Sequence, residues 1–323
     1  MLERFLLLWL TLLSVLAYFW TAWFPGWWDP FVGSAGVLKY LFAVTMLAIG
    51  SLLPEDEILQ VARRWPTVLG GTAIQYTAMP LLAYGVGHLF GLEGPWLVGC
   101  IMVGCVPGAM ASNVLTLTAR GNVSYSLSLT TSATLLSPLI VPMVLWIALR
   151  EWVEFPAAKV SLDLTWMVVL PVVAGHLLSR RFTTWNRVAG RVGAIIANLT
   201  ILWIIAVVVG KNRESLVGLD ASFLATFLSA LLAINLGGYA AGMLGGLALR
   251  LPDPMRRALT LEVGMQNAGL GAVLANDLFG KHSAGAIEAV GPAVYTFGCM
   301  FTGTLLARYW ASRTGPLASL FLG

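Results

Sequence analysis

Three polar clusters interrupt the apolar stretches of this sequence, and their residue types suggest ion binding. The first is Pro107-Gly108-Ala109-Met110-Ala111-Ser112-Asn113, with Thr116 close behind. Proline lacks an amide hydrogen and disfavours helix at the residue before it, so a helix reaching Pro107 must break and free carbonyls. Ser112, Asn113 and Thr116 then offer oxygens where those carbonyls are freed. The second cluster is Glu262-Val263-Gly264-Met265-Gln266-Asn267, followed by Gly269 and Gly271. The third is a row of hydroxyls between Ser124 and Ser137, in which helical spacing puts Ser126 and Thr130 on one face. Oxygen donors from Glu, Gln, Asn, Ser and Thr, without His or Cys, suit an alkali cation better than a transition metal.

Glu262 is the outstanding charge, the only carboxylate with several apolar or small neighbours on both sides within a span. An ionised group at such a position costs several kcal/mol unless paired, which makes it a functional candidate. Two readings stand: it binds a cation, or it pairs at the interface with Arg257, about 8 Å away along a helix. The hydroxyl row divides evenly between ligands and helix glue, and Gln75, five residues before Pro80, reads more readily as glue. His88, His176 and His282 share no spacing, and Cys100, Cys105 and Cys299 lie in apolar runs. No Ser-His-Asp, HExxH or P-loop pattern occurs, so an enzyme reading lacks chemistry.

The elements that hold these clusters must be membrane helices. Of 323 residues, 58% are hydrophobic and 11% charged, with a mean hydropathy of +0.83. A soluble domain carries about a quarter charged residues, so a soluble enzyme, a nucleic-acid module and a disordered chain are excluded. At about 20 residues per crossing, ten spans are expected: 5–23, 34–53, 67–89, 96–118, 123–149, 162–179, 192–210, 221–249, 257–279 and 286–310. The first is read as a retained helix because its apolar run is longer than a signal-peptide core. With the N-terminus inside, thirteen Lys and Arg fall in inside segments and five outside, Lys39 lying within a span. The positive-inside rule therefore puts both termini in the cytoplasm.

An internal repeat is also expected, its halves offset by about 155 residues. The break from Pro107 to Asn113 in span four matches that from Glu262 to Asn267 in span nine. The turn Pro54-Glu55-Asp56-Glu57 matches Lys211-Asn212-Arg213-Glu214. A five-span unit makes the second copy inverted, and interrupted spans at equivalent positions point to a secondary transporter.

Two stretches carry a family resemblance. Gly104 through Pro107-Gly108 to Ser112-Asn113-Val114, with Thr116, Gly121-Asn122, Leu127, Thr130 and Thr134, resembles one signature of the bile acid:sodium symporter family. Glu262 to Leu270 resembles its second, and Pro54-Glu55-Asp56 is a weaker third match. The resemblance runs to about residue 310 and is most similar to the bacterial homologues of the apical sodium-dependent bile acid transporter. It implies an all-α polytopic membrane protein, one membrane domain over 1–323. Its inverted repeats would be 1–150 and 160–310, with broken helices 4 and 9 crossing. Helices 1, 2, 6 and 7 would form a panel, and helices 3–5 and 8–10 a core.

By the same resemblance, Ser112, Asn113, Ser126, Thr130 and Glu262 would hold one sodium ion. Gln75, Glu262 and Gln266, with the backbone carbonyls of Val263 and Met265, would hold a second. The substrate would lie near Asn113, Asn267, Ala109 and Met110. The implied function is sodium-coupled symport of an organic anion, a bile-acid-like sterol or a smaller carboxylate, across a bacterial inner membrane. A proton-coupled or efflux carrier on the same scaffold is the alternative. The implied partners are the organic anion and the lipid bilayer, with no nucleic acid and no obligatory protein partner. The chain departs from the family pattern at Gly108-Ala109-Met110-Ala111 and at Tyr295 to Met300, which predicts a less polar, differently shaped pocket.

Overall fold

The computed structural model describes residues 6–54, 57–149, 155–280 and 286–313. Apolar segments in lipid must satisfy their backbone groups internally, and the chain does so with helices. It begins with α1 (Leu6–Trp23), a short α2 (Pro30–Gly33) and a 3₁₀ turn (Ala35–Val37) leading into α3 (Leu38–Ser51). The surface turn α4 (Glu57–Arg63) precedes α5 (Trp65–Leu89). The next segment is an interrupted helix, α6 (Gly94–Cys105) and α7 (Ala111–Thr118), and α8 (Val123–Leu149) follows. A further rod joins α9 (Ala157–Leu164), a π-helical turn (Thr165–Val169) and α10 (Leu170–Arg181). Then come α11 (Thr183–Lys211), the short α12 (Arg213–Val217) and α13 (Ala221–Ala248). The second interrupted helix is α14 (Asp253–Gly264) and α15 (Ala268–Phe279); a 3₁₀ turn (Ile287–Ala289) opens the last described helix, α16 (Val290–Arg313). Pro66, Pro95 and Pro254 stand in the first turns of α5, α6 and α14, where a missing amide hydrogen costs nothing.

Among the described residues, seven helices are long and apolar enough to cross a membrane, and the chain is a multi-pass membrane protein. The other three expected spans coincide with α5 and the two interrupted pairs. The 25-residue α5 carries Thr72, Gln75 and Tyr76 on a buried face and falls short on apolarity, not on length. Each half of an interrupted pair has at most 12 residues, about 18 Å of helix, too short to span alone. Leu81, Leu139 and Leu89 are 67%, 70% and 81% exposed, the outward leucines that a lipid-facing surface requires.

The first break is narrower than expected, covering 106–110, so Ser112 and Asn113 lie in the first turn of α7. The second covers 265–267, so Glu262 occupies the last turn of α14. The expected start of the first span and the charges Arg4, Glu55, Asp56, Arg150 and Lys281, with His282, lie outside the described residues.

Packing follows small residues. On α13, Gly238 and Gly242 lie one turn apart against α14; a Cβ at Gly242 would come within 2.7 Å of the Thr260 Cα, and one at Gly238 within 2.9 Å of the Gly264 Cα. Backbones this close are the small-residue packing of membrane helices. Elsewhere α3 packs on α10 and α11, α1 on α11, and α5 on α6, α8 and α13.

Candidate functional site

The two breaks meet. The Asn267 amide donates to the Pro107 carbonyl at 2.7 Å, and the Ala109 amide donates to the Met265 carbonyl at 2.8 Å. Gly108 and Gln266 form an isolated antiparallel bridge between them. Backbone groups freed by each break thus satisfy those of the other, as a region without water demands.

Glu262 sits against this crossing and is fully buried. Ser112 Oγ donates to its Oε2 at 2.5 Å, and Thr130 Oγ1 lies 2.8 Å from both carboxylate oxygens. Thr130 Oγ1 also lies 3.1 Å from the Ser126 carbonyl, while Ser126 Oγ pairs with Thr116 Oγ1 at 3.2 Å. Gly108 makes room for the carboxylate, because a Cβ there would run into it. Arg257 does not reach Glu262. It pairs with Asp253 at 2.5 Å and donates to the Ala119 carbonyl at 2.9 Å, so the interface pairing admitted by the sequence does not form. Among the described residues, no ion pair involves Glu262.

Three buried amides carry atoms without hydrogen-bond partners: Asn113 Oδ1 and Gln266 Oε1 beside the breaks, and Gln75 Nε2 on α5. Each such atom costs about 1–3 kcal/mol, and two of the three are acceptor oxygens of the kind a cation takes. Of the residues expected in the first ion site, Ser112 and Thr130 meet the carboxylate and Ser126 stands one step behind, whereas Asn113 turns its Nδ2 to Met110 Sδ at 3.8 Å. The second set is looser. Val263 offers a carbonyl already accepting from Gln266 Nε2 at 2.7 Å, and the Met265 carbonyl accepts from Ala109; each keeps a second lone pair. Neither Gln75 nor Gln266 donates to Glu262.

A narrow cleft opens beside the crossing. Met46, Ile49 and Val172, from α3 and α10, form an apolar wall facing Thr130, Thr131 and Asn267. Of the residues expected at the substrate, Met110 and Asn267 line this cleft, whereas Ala109 and Asn113 do not. Asn267 caps α15, its Oδ1 accepting from the Leu270 amide at 3.1 Å.

Further charges are organised by the tertiary contacts. Glu262 is not the one carboxylate withdrawn from water, since Glu57 at the start of α4 is 1% exposed and accepts from Ser128 Oγ at 2.9 Å. Ser124 donates to Gln60, and Thr72 donates to Ser132 at 3.3 Å. The hydroxyl row of α8 thus has two faces, one on Glu262 and one on α4 and α5; a strict i, i+4 sorting of its residues separates them. Lys39, left unassigned by sequence, lies 2.7 Å from Asp277 and 3.7 Å from Asp163, while Lys159 lies 3.1 Å from Asp277.

An all-helical membrane body whose two interrupted helices cross at a buried, oxygen-lined carboxylate has the form of a transporter and not of an enzyme. The chain belongs to the Sodium Bile acid symporter family, whose family model matches residues 40–219. It is 32% identical over 284 residues to the uncharacterized sodium-dependent transporter YocS of Bacillus subtilis, covering 88% of this chain and 85% of that one. It is 31% identical to the probable sodium/metabolite cotransporter BASS1, chloroplastic, of Arabidopsis thaliana, over 84% of this chain and 66% of that one. Against the ileal sodium/bile acid cotransporter of Cricetulus griseus identity is 26%, over 86% and 79%. The protein is a sodium-coupled transporter of organic anions or metabolites.

Proposed function

We propose that the protein moves one organic anion together with two sodium ions by alternating access. The observation that carries this reading is Glu262, fully buried, held by Ser112 and Thr130 and lacking a basic partner among the described residues. A carboxylate so placed is costly unless a cation joins it. One sodium would take Ser112, Asn113, Ser126, Thr130 and Glu262. The other would take Gln75, Glu262, Gln266 and the carbonyls of Val263 and Met265. Two ions against one carboxylate leave positive charge beside the cleft. The N-terminus of α15 adds to it, favouring an anionic substrate near Asn267 and Met110. The apolar wall of Met46, Ile49 and Val172 supports a substrate with a hydrocarbon body and a single acidic head, a bile-acid-like sterol or a smaller carboxylate.

The ten-span reading with inverted repeats is supported by two interrupted crossings at corresponding places in the chain. In this reading α1, α3, α9–α10 and α11 form the panel and the remaining long elements the core, in a bacterial inner membrane with both termini cytoplasmic. Ion binding at the crossing would shift the balance between outward and inward states, by no more than the difference in its affinity for the two.

The test is uptake into proteoliposomes by purified protein, with organic anions first chosen by thermal shift in sodium and in potassium at fixed pH. Glu262→Ala is expected to abolish sodium-dependent uptake while the protein inserts normally; near-normal uptake would sink the site. Because two sodium ions with a monovalent anion carry net charge, uptake is expected to generate inward current under voltage clamp. Transport without current would defeat the stoichiometry. Equal uptake in potassium would favour the proton-coupled or efflux alternative.

A further inference from the structure

The break in α14 frees three successive carbonyls, and the middle one is treated differently from its neighbours. In an unbroken helix the Val263 carbonyl would accept from the Asn267 amide and the Gly264 carbonyl from the Ala268 amide. Here the Asn267 amide goes to Pro107 at 2.7 Å, and the Ala268 amide goes to the Gln266 carbonyl at 2.8 Å. The Gly264 carbonyl instead receives two side-chain donors, Asn235 Nδ2 at 2.8 Å and Tyr295 Oη at 2.8 Å. It is turned toward α13 and α16, whereas the Met265 carbonyl is turned toward the crossing strand at Ala109.

The donors are themselves held. Thr302 Oγ1 donates to Asn235 Oδ1 at 2.6 Å, which fixes which end of that amide faces Gly264. Tyr239 Oη lies 3.2 Å from Thr302 Oγ1, and the Tyr239 ring occupies the space a side chain at position 264 would need. Asn235 and Tyr295 are each 1% exposed. Asn235 lies one turn before Gly238, on the stripe by which α13 approaches α14 closely enough for its short amide to reach the helix end. None of these residues belongs to the ion sites proposed above.

We infer that Asn235 and Tyr295, oriented by Thr302, are positioning residues for the second sodium site. They saturate the Gly264 carbonyl and fix its peptide plane, so that the flanking Val263 and Met265 carbonyls are the ones presented to the ion. This rests on the sodium reading of the crossing. Removing one donor lets the Gly264 peptide rotate and weakens the ion site without touching a ligand. The loss of one buried hydrogen bond corresponds to about a 3- to 10-fold change in affinity.

The experiment uses sodium itself as the probe. The full-length protein in detergent is melted in increasing sodium chloride at constant ionic strength with choline chloride, and the half-saturating sodium concentration is read from the rise in Tm. Tyr295→Phe and Asn235→Leu are expected to raise that concentration about 3- to 10-fold. Ser179→Ala removes a 2.8 Å buried hydrogen bond to the Ser51 carbonyl, away from the crossing, and is expected to stay within about twofold of the parent protein. Should Asn235→Leu fail to fold, Tyr295→Phe, which loses a single oxygen, decides the matter. An unchanged value in Tyr295→Phe, or an equal shift in Ser179→Ala, overturns the inference alone. If the parent protein gains no stability from sodium, or Glu262→Gln gains as much as the parent, the sodium reading falls and takes the inference with it.

Discussion

At the scale of single residues, the site depends on where a carboxylate is placed and on what is kept away from it. Glu262 has hydroxyl donors on both oxygens and Gly108 at its side. Alanine at position 108 would push a methyl group into the carboxylate and displace it from Ser112 or Thr130. Gly108→Ala is therefore expected to raise the half-saturating sodium concentration about tenfold or more, the cost of overpacking a dense site being about 1–3 kcal/mol. Sodium titration of uptake checks this, and an unaltered curve would mean that the carboxylate is not held against the break. Residue types at these positions were readable directly, because a lone Glu between apolar neighbours stands out. Glu57 was not, because a charged residue beside a polar turn looks solvated until α8 is found covering it.

At the scale of elements, α8 shows how one helix serves two sites. Ser126 and Thr130 face the crossing, while Ser124, Ser128 and Ser132 face α4 and α5. Ser126→Ala is expected to increase the sodium requirement several-fold, and Ser128→Ala to leave it within about twofold, since the latter hydroxyl serves Glu57. Equal effects from the two would indicate that the hydroxyl row acts through helix packing and not through ion contact. The breaks themselves were legible from Pro107 and from the glycines around Gln266. Their limits were not, because Ser112, Asn113 and Glu262 have no local reason to leave a helix and the crossing strand alone decides where pairing begins. The role of α13 was equally hidden. A single Asn235 ahead of glycines carries no signal until Gly264 is found opposite it.

At the scale of the whole molecule, charge pairs link elements that alternating access would separate. Lys39 at the start of α3 and Lys159 on α9 both reach Asp277 near the end of α15, and Lys211 at the end of α11 donates to Asn276 at 3.0 Å. These contacts join the proposed panel to the proposed core at one end of the bundle, while the cleft lies beside the crossing between the same two groups. Lys39→Ala is expected to loosen that end and move the conformational balance by a few-fold, since partly exposed pairs are worth about 0–1 kcal/mol. The readout is the rate of maleimide labelling of a cysteine introduced at Thr134 in the cleft, in a background lacking the three native cysteines. Labelling unchanged by Lys39→Ala would show that the charge cluster does not set the balance.

Composition alone determined that this chain lives in a membrane, because so few charged residues cannot clothe a soluble surface. Local sequence also marked the two helix breaks and the oxygen-rich residues near them, since proline, glycine and isolated polar groups act on their own neighbourhood. Only the tertiary structure decided which of those oxygens meet. Ser112, Thr130 and Glu262 are separated by up to 150 residues in sequence, and no periodicity within one helix can state a distance between two. The same holds for the saturation of the Gly264 carbonyl and for the covering of Glu57. Each is settled by which helix lies alongside, and that is fixed by small-residue packing across the whole bundle rather than by any single segment.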